Sequence, residues 1–200
     1  MHGILACFCE SRKYVKEKFI ADLREACAQG LEGRERWEKC RELMGELLAD
    51  PELQEHAKSW PVTGFDGKKV SNLLFYVDPD YGFALNGLIK KGGGRAMMHD
   101  HGPTWTTYGV LRGEERIVRY EVVEDDGEKN LREAWHIMCG PGDVDIVPPG
   151  EIHSEFAQDE GSVAFIVRSQ KTGTFEQFSY EQGPEPVSHP GPTQVPYDLG

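Results

Sequence analysis

Positive charge is scarce in this chain: 22 Lys and Arg stand against 34 Asp and Glu, a formal net charge of −12 over 200 residues. That balance leaves no basic footprint for a nucleic acid or an anionic membrane surface. Long apolar runs are missing as well, and nothing reaches the length that crosses a bilayer. The stretch from Ile4 to Cys9 is too short, and lacks the basic lead-in, for a secretory signal. Cysteine is sparse and odd in number, with Cys7, Cys9, Cys27, Cys40 and Cys139 at no disulfide-framework spacing. Reduced thiols in a cytoplasmic protein are the expectation. Cys7-Phe8-Cys9 lacks the second pair that a structural metal site needs, so no ion is expected there. No internal repeat is visible. The length suits one domain with a sizeable core.

What is present divides near residue 60. From Ser11 to Ala49, Val15, Phe19, Leu23 and Cys27 form one stripe at helical spacing; Trp37, Cys40, Met44 and Leu47 form a second. Asp50-Pro51 reads as the cap and first position of a third, short helix. These stripes predict packing faces, so residues 1–60 form a helical segment laid on a larger body. Residues 61–182 carry that body, as short strands between turn signals such as Asp78-Pro79-Asp80, Leu111-Arg112-Gly113 and Gly140-Pro141-Gly142. Residues 183–200 hold five prolines and predict an extended tail, packed on the body or loosely ordered.

Histidine carries the chemistry. His99-Asp100-His101 lies in a strand-like stretch, where residues i and i+2 share a face. His153 follows the turn Pro148-Pro149-Gly150 and brings a third imidazole from a later strand. Three neutral imidazoles converging inside a β-structure make a metal site with open coordination positions. His2, His56, His136 and His189 have no partner at ligand spacing. Asp100 should point away from the ion, where it orients a neighbouring group.

Glycine and proline frame these histidines. Gly93 precedes His99 by six residues, Gly113 follows His101 by twelve, and Gly142, Pro148, Gly150 and His153 form a second set. The pattern resembles the paired motifs of the cupin superfamily, densely from Gly93 to Phe156 and loosely from Val70 to Tyr180. The resemblance implies a mainly β fold, a cupin-type double-stranded β-barrel (jelly roll) preceded by an N-terminal helical segment, with one metal ion inside. Most metal-binding cupins carry a glutamate where this chain has Thr106. The implied ligand set is therefore His99, His101 and His153 without a carboxylate. That departure, with the stretches His99 to Trp105 and Gly109 to Gly113, is similar to the thiol dioxygenases related to cysteine dioxygenase. Those enzymes use Fe(II) and both atoms of O2 to turn a thiol into a sulfinate. Their Ser, His and Tyr on a late strand fall here on Ala164, Ile166 and Arg168, and their substrate-carboxylate arginine falls on Ser71. The implied substrate is thus a small thiol-bearing organic acid other than cysteine.

Arg168 alternates with Ala164 and Ile166 and is expected to look into the barrel. There it would hold a substrate carboxylate, or pair with Glu155 or Glu151. A one-residue slip would instead put it on the surface. Arg95 is a second candidate anion binder. Tyr108 is a candidate proton donor or O2 contact, with a packed aromatic as the alternative; Trp105 and Met97 are candidate pocket walls, and Cys139 reads as a bystander in a loop. The leading expectation is a mononuclear non-haem Fe(II) dioxygenase acting on a small molecule and O2, as a monomer or homodimer. Zn, Ni or Mn are the alternative ions. Enediol or ring-cleaving oxygenation, a non-redox lyase or isomerase step, and a non-catalytic ligand sensor are the alternative functions.

Overall fold

The computed structural model describes residues 3–61 and 70–199, with side chains from Lys16 onward and again from Asn72 onward. The side chains of Cys7 and Cys9, and that of Ser71, lie outside the described residues. Three helices come first: α1 (Gly3–Ala28), α2 (Gly33–Leu48) and α3 (Pro51–Ala57). Of the expected stripes, Phe19 and Leu23 on α1 and Trp37, Cys40, Met44 and Leu47 on α2 are buried and Cys27 is half-buried, while the side chain of Val15 lies outside the described residues. Asp50 caps α3 by accepting from the backbone N–H groups of Glu52 and Leu53 at 2.8 and 2.9 Å, with Pro51 at the first helical position. No described helix is long and apolar enough to cross a membrane.

Strands follow: β1 (Val70–Val77), β2 (Ala84–Lys90), β3 (His99–Asp100), β4 (Thr106–Asp125), β5 (Glu128–Cys139), β6 (Val144–Val147), β7 (His153–Arg168), β8 (Gln177–Ser179), β9 (Val187–His189) and β10 (Val195–Pro196). They form one mixed sheet in the order β10-β1-β2-β7-β3-β8-β9, and β4 joins it against β5, β6 and β7. The β1–β10 pair is parallel and the remainder antiparallel. The chain is therefore mainly β, a curled sheet in a half-barrel with helices on its outside.

Alternation sorts the two faces. Leu85, Ile89, Val163, Phe165 and Val167 pack outward against the helices. Leu88, Tyr108, Val110, Ile117, Ala164 and Ile166 pack inward around the lumen. Gly109 lets α2 lie close on β4, since a Cβ there would come within 2.7 Å of Leu48 Cδ1 and Met44 Sδ.

Two expectations about boundaries change. Leu111-Arg112-Gly113 is not a separator; it lies inside the 20-residue β4. Gly113, at φ 75°, sits where the register against β7 shifts, and Gly161, at φ 77°, plays the same part in β7. A Cβ on Gly113 would stand 2.0 Å from the carbonyl oxygen of Gly161. The glycines thus bend two long strands that cross together from one half of the sheet to the other. Cys139 likewise closes β5 and is buried with the lumen residues, not in a loop. Part of the C-terminal tail joins the sheet as β9 and β10.

Candidate metal centre

Strand register brings the three histidines together. His99 of β3 lies directly opposite His153 of β7, and His101 follows in the turn after β3. The turn is held by Gly102 N–H donating to Asp100 Oδ1 at 2.8 Å and by Gly150 N–H donating to the Gly102 carbonyl at 2.9 Å. Asp100 points away from the lumen, and its Oδ2 accepts from the Tyr180 hydroxyl at 3.0 Å. All three imidazoles are buried, their ring centroids 4.4–4.9 Å apart, with one ligand atom of each within 4.8 Å of the others.

The outer nitrogens decide what the inner ones can do. His99 Nδ1 donates to the Met97 carbonyl at 2.8 Å, and His153 Nδ1 donates to the Glu151 carbonyl at 2.9 Å. With Nδ1 carrying the proton, Nε2 of each ring turns a lone pair inward. His101 Nδ1 lies 3.0 Å from the Thr106 hydroxyl, which orients the ring from the side opposite Nε2. Thr106 thus stands behind the His101 ring, not among the inward nitrogens. His99 Nε2 and His101 Nε2 are 3.0 Å apart, and His153 Nε2 is buried with no hydrogen-bond partner. Imidazole nitrogens sit about 2.0–2.1 Å from an ion, so two at right angles on one ion stand roughly 3 Å apart. The residues fit a metal ion. Burial, then the neighbouring imidazole of His153, pushes His99 down to about 3, and burial and Arg168 push His101 well below its ordinary range. Both rings are neutral at neutral pH.

Charged groups line the same lumen. Arg168 pairs across the sheet with Ala84 and Thr106 and faces inward; it is buried, with Nε and Nη1 lacking any partner. Burial pulls its guanidinium down to about 10, with Glu155 and Tyr108 opposing, so the group stays charged at neutral pH. Glu151 is not its partner, because Arg119 binds both Glu151 and, at 2.5 Å, Asp145. Glu155 is buried, with Oε1 3.4 Å from His153 Nε2 and Oε2 without a partner. Burial opposes its charge, but Lys90 and then the imidazoles of His153 and His99 hold the carboxyl well below the usual range.

The other candidates fall elsewhere. Tyr108 faces the lumen, but its hydroxyl donates to Glu115 at 2.7 Å and accepts from Lys90 at 2.8 Å. Lys90 also bonds Glu115 at 2.7 Å and Ser162 donates to the same carboxylate at 2.5 Å, closing a buried network. Tyr108 is therefore a structural member of that network with no free proton. Trp105 lies on the opposite face, stacked on Trp37 at 6.5 Å and 4°, away from the histidines. Met97 is 45% exposed, and its carbonyl, not its side chain, serves His99. Arg95 is partly exposed, ion-paired with Glu181 and placed over the Phe156 ring. Sequence reasoning missed Lys90, Glu115 and Arg119; it offered Glu155 only as a partner for Arg168, and the i, i+2 spacing of His153 and Glu155 was the signal for its inner placement.

No protein-family model matches the chain, and no curated protein matches it. Solved structures similar to it include oxalate oxidase in complex with the substrate analogue glycolate, at 15% identity and TM-score 0.42 over 52% of each chain. KdgF from Halomonas sp. is similar at 17% identity and TM-score 0.40, over 52% of this chain and 80% of that one. The cupin domain of Schizosaccharomyces pombe Cnp3 is similar at 13% identity and TM-score 0.42, over 57% of this chain and 72% of that one.

Proposed function

We propose that this chain is a mononuclear non-haem Fe(II) dioxygenase that oxidises a small thiol-bearing organic acid to the sulfinate. The observation that carries the reading is the convergence of three inward-turned imidazoles beside an unpartnered, buried guanidinium. His99, His101 and His153 would hold the ion, which when bound supplies the open coordination positions for thiolate and O2. The chain's own residues do the rest. Met97 and Glu151 carbonyls fix two ring tautomers, and Thr106 fixes the third ring. Arg168, buried and short of hydrogen-bond partners, binds a carboxylate through two parallel N–H groups. The substrate is thereby anchored at its acid end with its sulfur toward the histidines. Leu88, Val110, Ala164 and Ile166 supply the apolar part of a lumen that charged groups line elsewhere. The balanced change is thiol plus O2 to sulfinic acid, both oxygen atoms ending on sulfur.

The test is O2 uptake by the Fe(II)-loaded protein with mercapto-acids such as mercaptopropionate and mercaptosuccinate. Uptake with one O2 consumed per sulfinate formed supports the reading. Uptake only with enediol or catechol acids would assign a different dioxygenase reaction. No uptake with any of them would leave a non-redox lyase or isomerase step at the same centre.

A further inference from the structure

Among the described strands β5 pairs with β4 alone, so it forms a free edge of the half-barrel. Residues directly opposite on paired strands share a face, and two rows run from β5 toward the histidines. Trp135 stands opposite Arg119, which stands opposite His153; Ile137 stands opposite Ile117, which stands opposite Glu155. Ile117 is buried among the lumen residues, and so is Cys139, which alternates with Ile137 and Trp135 on β5. Trp135 and Ile137 therefore belong to the inner face, two strand spacings or roughly 10 Å from His153 and Glu155. The Arg119 guanidinium lies 5.2 Å over the Trp135 ring and ties the indole to that row. Yet Trp135 is 49% and Ile137 44% exposed. Met138, also exposed, faces the outside opposite Arg116. Farther along β5 the exposed side chains are charged and paired: Glu133 with Arg116, Arg132 with Glu121 and Lys129 with Glu185. The inward apolar exposure is thus confined to the part of the edge that adjoins the histidines, as a ligand surface would be.

We propose that Trp135, backed by Ile137, binds an aromatic arm of the substrate, so that the acid taken here is an aryl-substituted mercapto-monoacid. The inference rests on the reading of Arg168 as the carboxylate anchor and adds what the other end of the substrate carries. Arg168 stands opposite Thr106, whose hydroxyl touches the His101 ring, while Trp135 lies on the row of His153. The imidazoles therefore stand between an anchor for the acid and a platform for a ring, and a thiol between acid and ring faces the histidines. An indole exposed over half its surface stacks an aromatic ring on its open side. A second carboxylate is not favoured at that end, because Arg119 already holds Asp145 and Glu151 and leaves no net positive charge there.

Calorimetric titration of the full-length protein with propionate and with 3-phenylpropionate, neither of which carries a thiol, tests this apart from any oxidation. Wild type is expected to bind 3-phenylpropionate at least tenfold more tightly than propionate. Trp135→Ala is expected to bring that ratio below threefold, and Trp135→Phe to restore most of it. Arg168→Met is expected to weaken both acids at least tenfold. A ratio near one in wild type, or a tenfold ratio that survives in Trp135→Ala, would overturn the platform while leaving the Arg168 anchor standing. Unchanged binding of both acids in Arg168→Met would remove the anchor, and this inference with it. A dimer in sedimentation velocity that Trp135→Ala dissociates would give the face to a second copy and would likewise overturn the proposal.

Discussion

Arg168 shows what a single buried charge asks of its surroundings. Its unsatisfied N–H groups face a site that also holds the buried imidazoles of His99, His101 and His153. Replacing it with methionine should remove a charge-assisted pair with the substrate carboxylate worth about 3 kcal/mol, or roughly a hundredfold in KM. Bound iron should be unchanged in Arg168→Met, measured by metal analysis beside O2-uptake kinetics; an unchanged KM would remove Arg168 from the substrate. Lys90 is the structural counterpart. Lys90→Met leaves Glu115 buried without its cation and should cost about 3–5 kcal/mol in urea unfolding. Asp78 carries the acid sensitivity of the shell outside the lumen. Burial raises its carboxyl, but backbone N–H groups of Tyr81 and Asp80, then Arg24, outweigh burial and hold it below its ordinary value. A carboxyl lowered in the folded state contributes stability above the unfolded value of about 3.9, lost as pH falls through the folded value. Asp78→Asn should therefore lower Tm at neutral pH and flatten its decline below about pH 4. The histidines and the inward Arg168 were legible because alternation on a strand is a two-state pattern. Lys90 was not, since a lysine at a strand end reads as a solvated tip until the sheet curls over it.

At the scale of elements, the helices were legible and the long strands were not. Heptad-like apolar spacing and the Asp50-Pro51 cap are local signals, and local structure follows them. β4 reads as two strands parted at Leu111-Arg112-Gly113, because glycine at positive φ marks turns and bulges alike. Only the pairing partner distinguishes the two, and Gly113 and Gly161 face one another across the β4–β7 pair. Gly113→Ala puts a Cβ 2.0 Å from a backbone oxygen that cannot swing aside, at a φ that L-residues rarely adopt. It should lower stability by about 2 kcal/mol or more, read as a shift in the urea midpoint. Glycine-to-alanine at Gly142, where nothing lies within 4 Å, should cost less, because only the φ strain remains. Equal effects at both positions would contradict the corner at Gly113.

At the scale of the whole molecule, the half-barrel separates two environments that share one sheet. Outside, helices cover an apolar face; inside, charges of both signs surround the imidazoles. The arrangement of turns and histidines along the chain carried the fold class, since many short strands with a helical lead-in allow few layered architectures. The polar interior was legible only where alternation could be counted, because which charges pair depends on a register that no local signal sets. The most direct test of the centre is X-ray absorption on the Fe(II)-loaded protein, with iron counted per chain. The account predicts one ion per chain with a shell of three imidazole nitrogens at about 2.1 Å, and at least tenfold weaker binding in each of His99→Ala, His101→Ala and His153→Ala. Iron that is not retained, or that binds equally well when any of the three is removed, would contradict it.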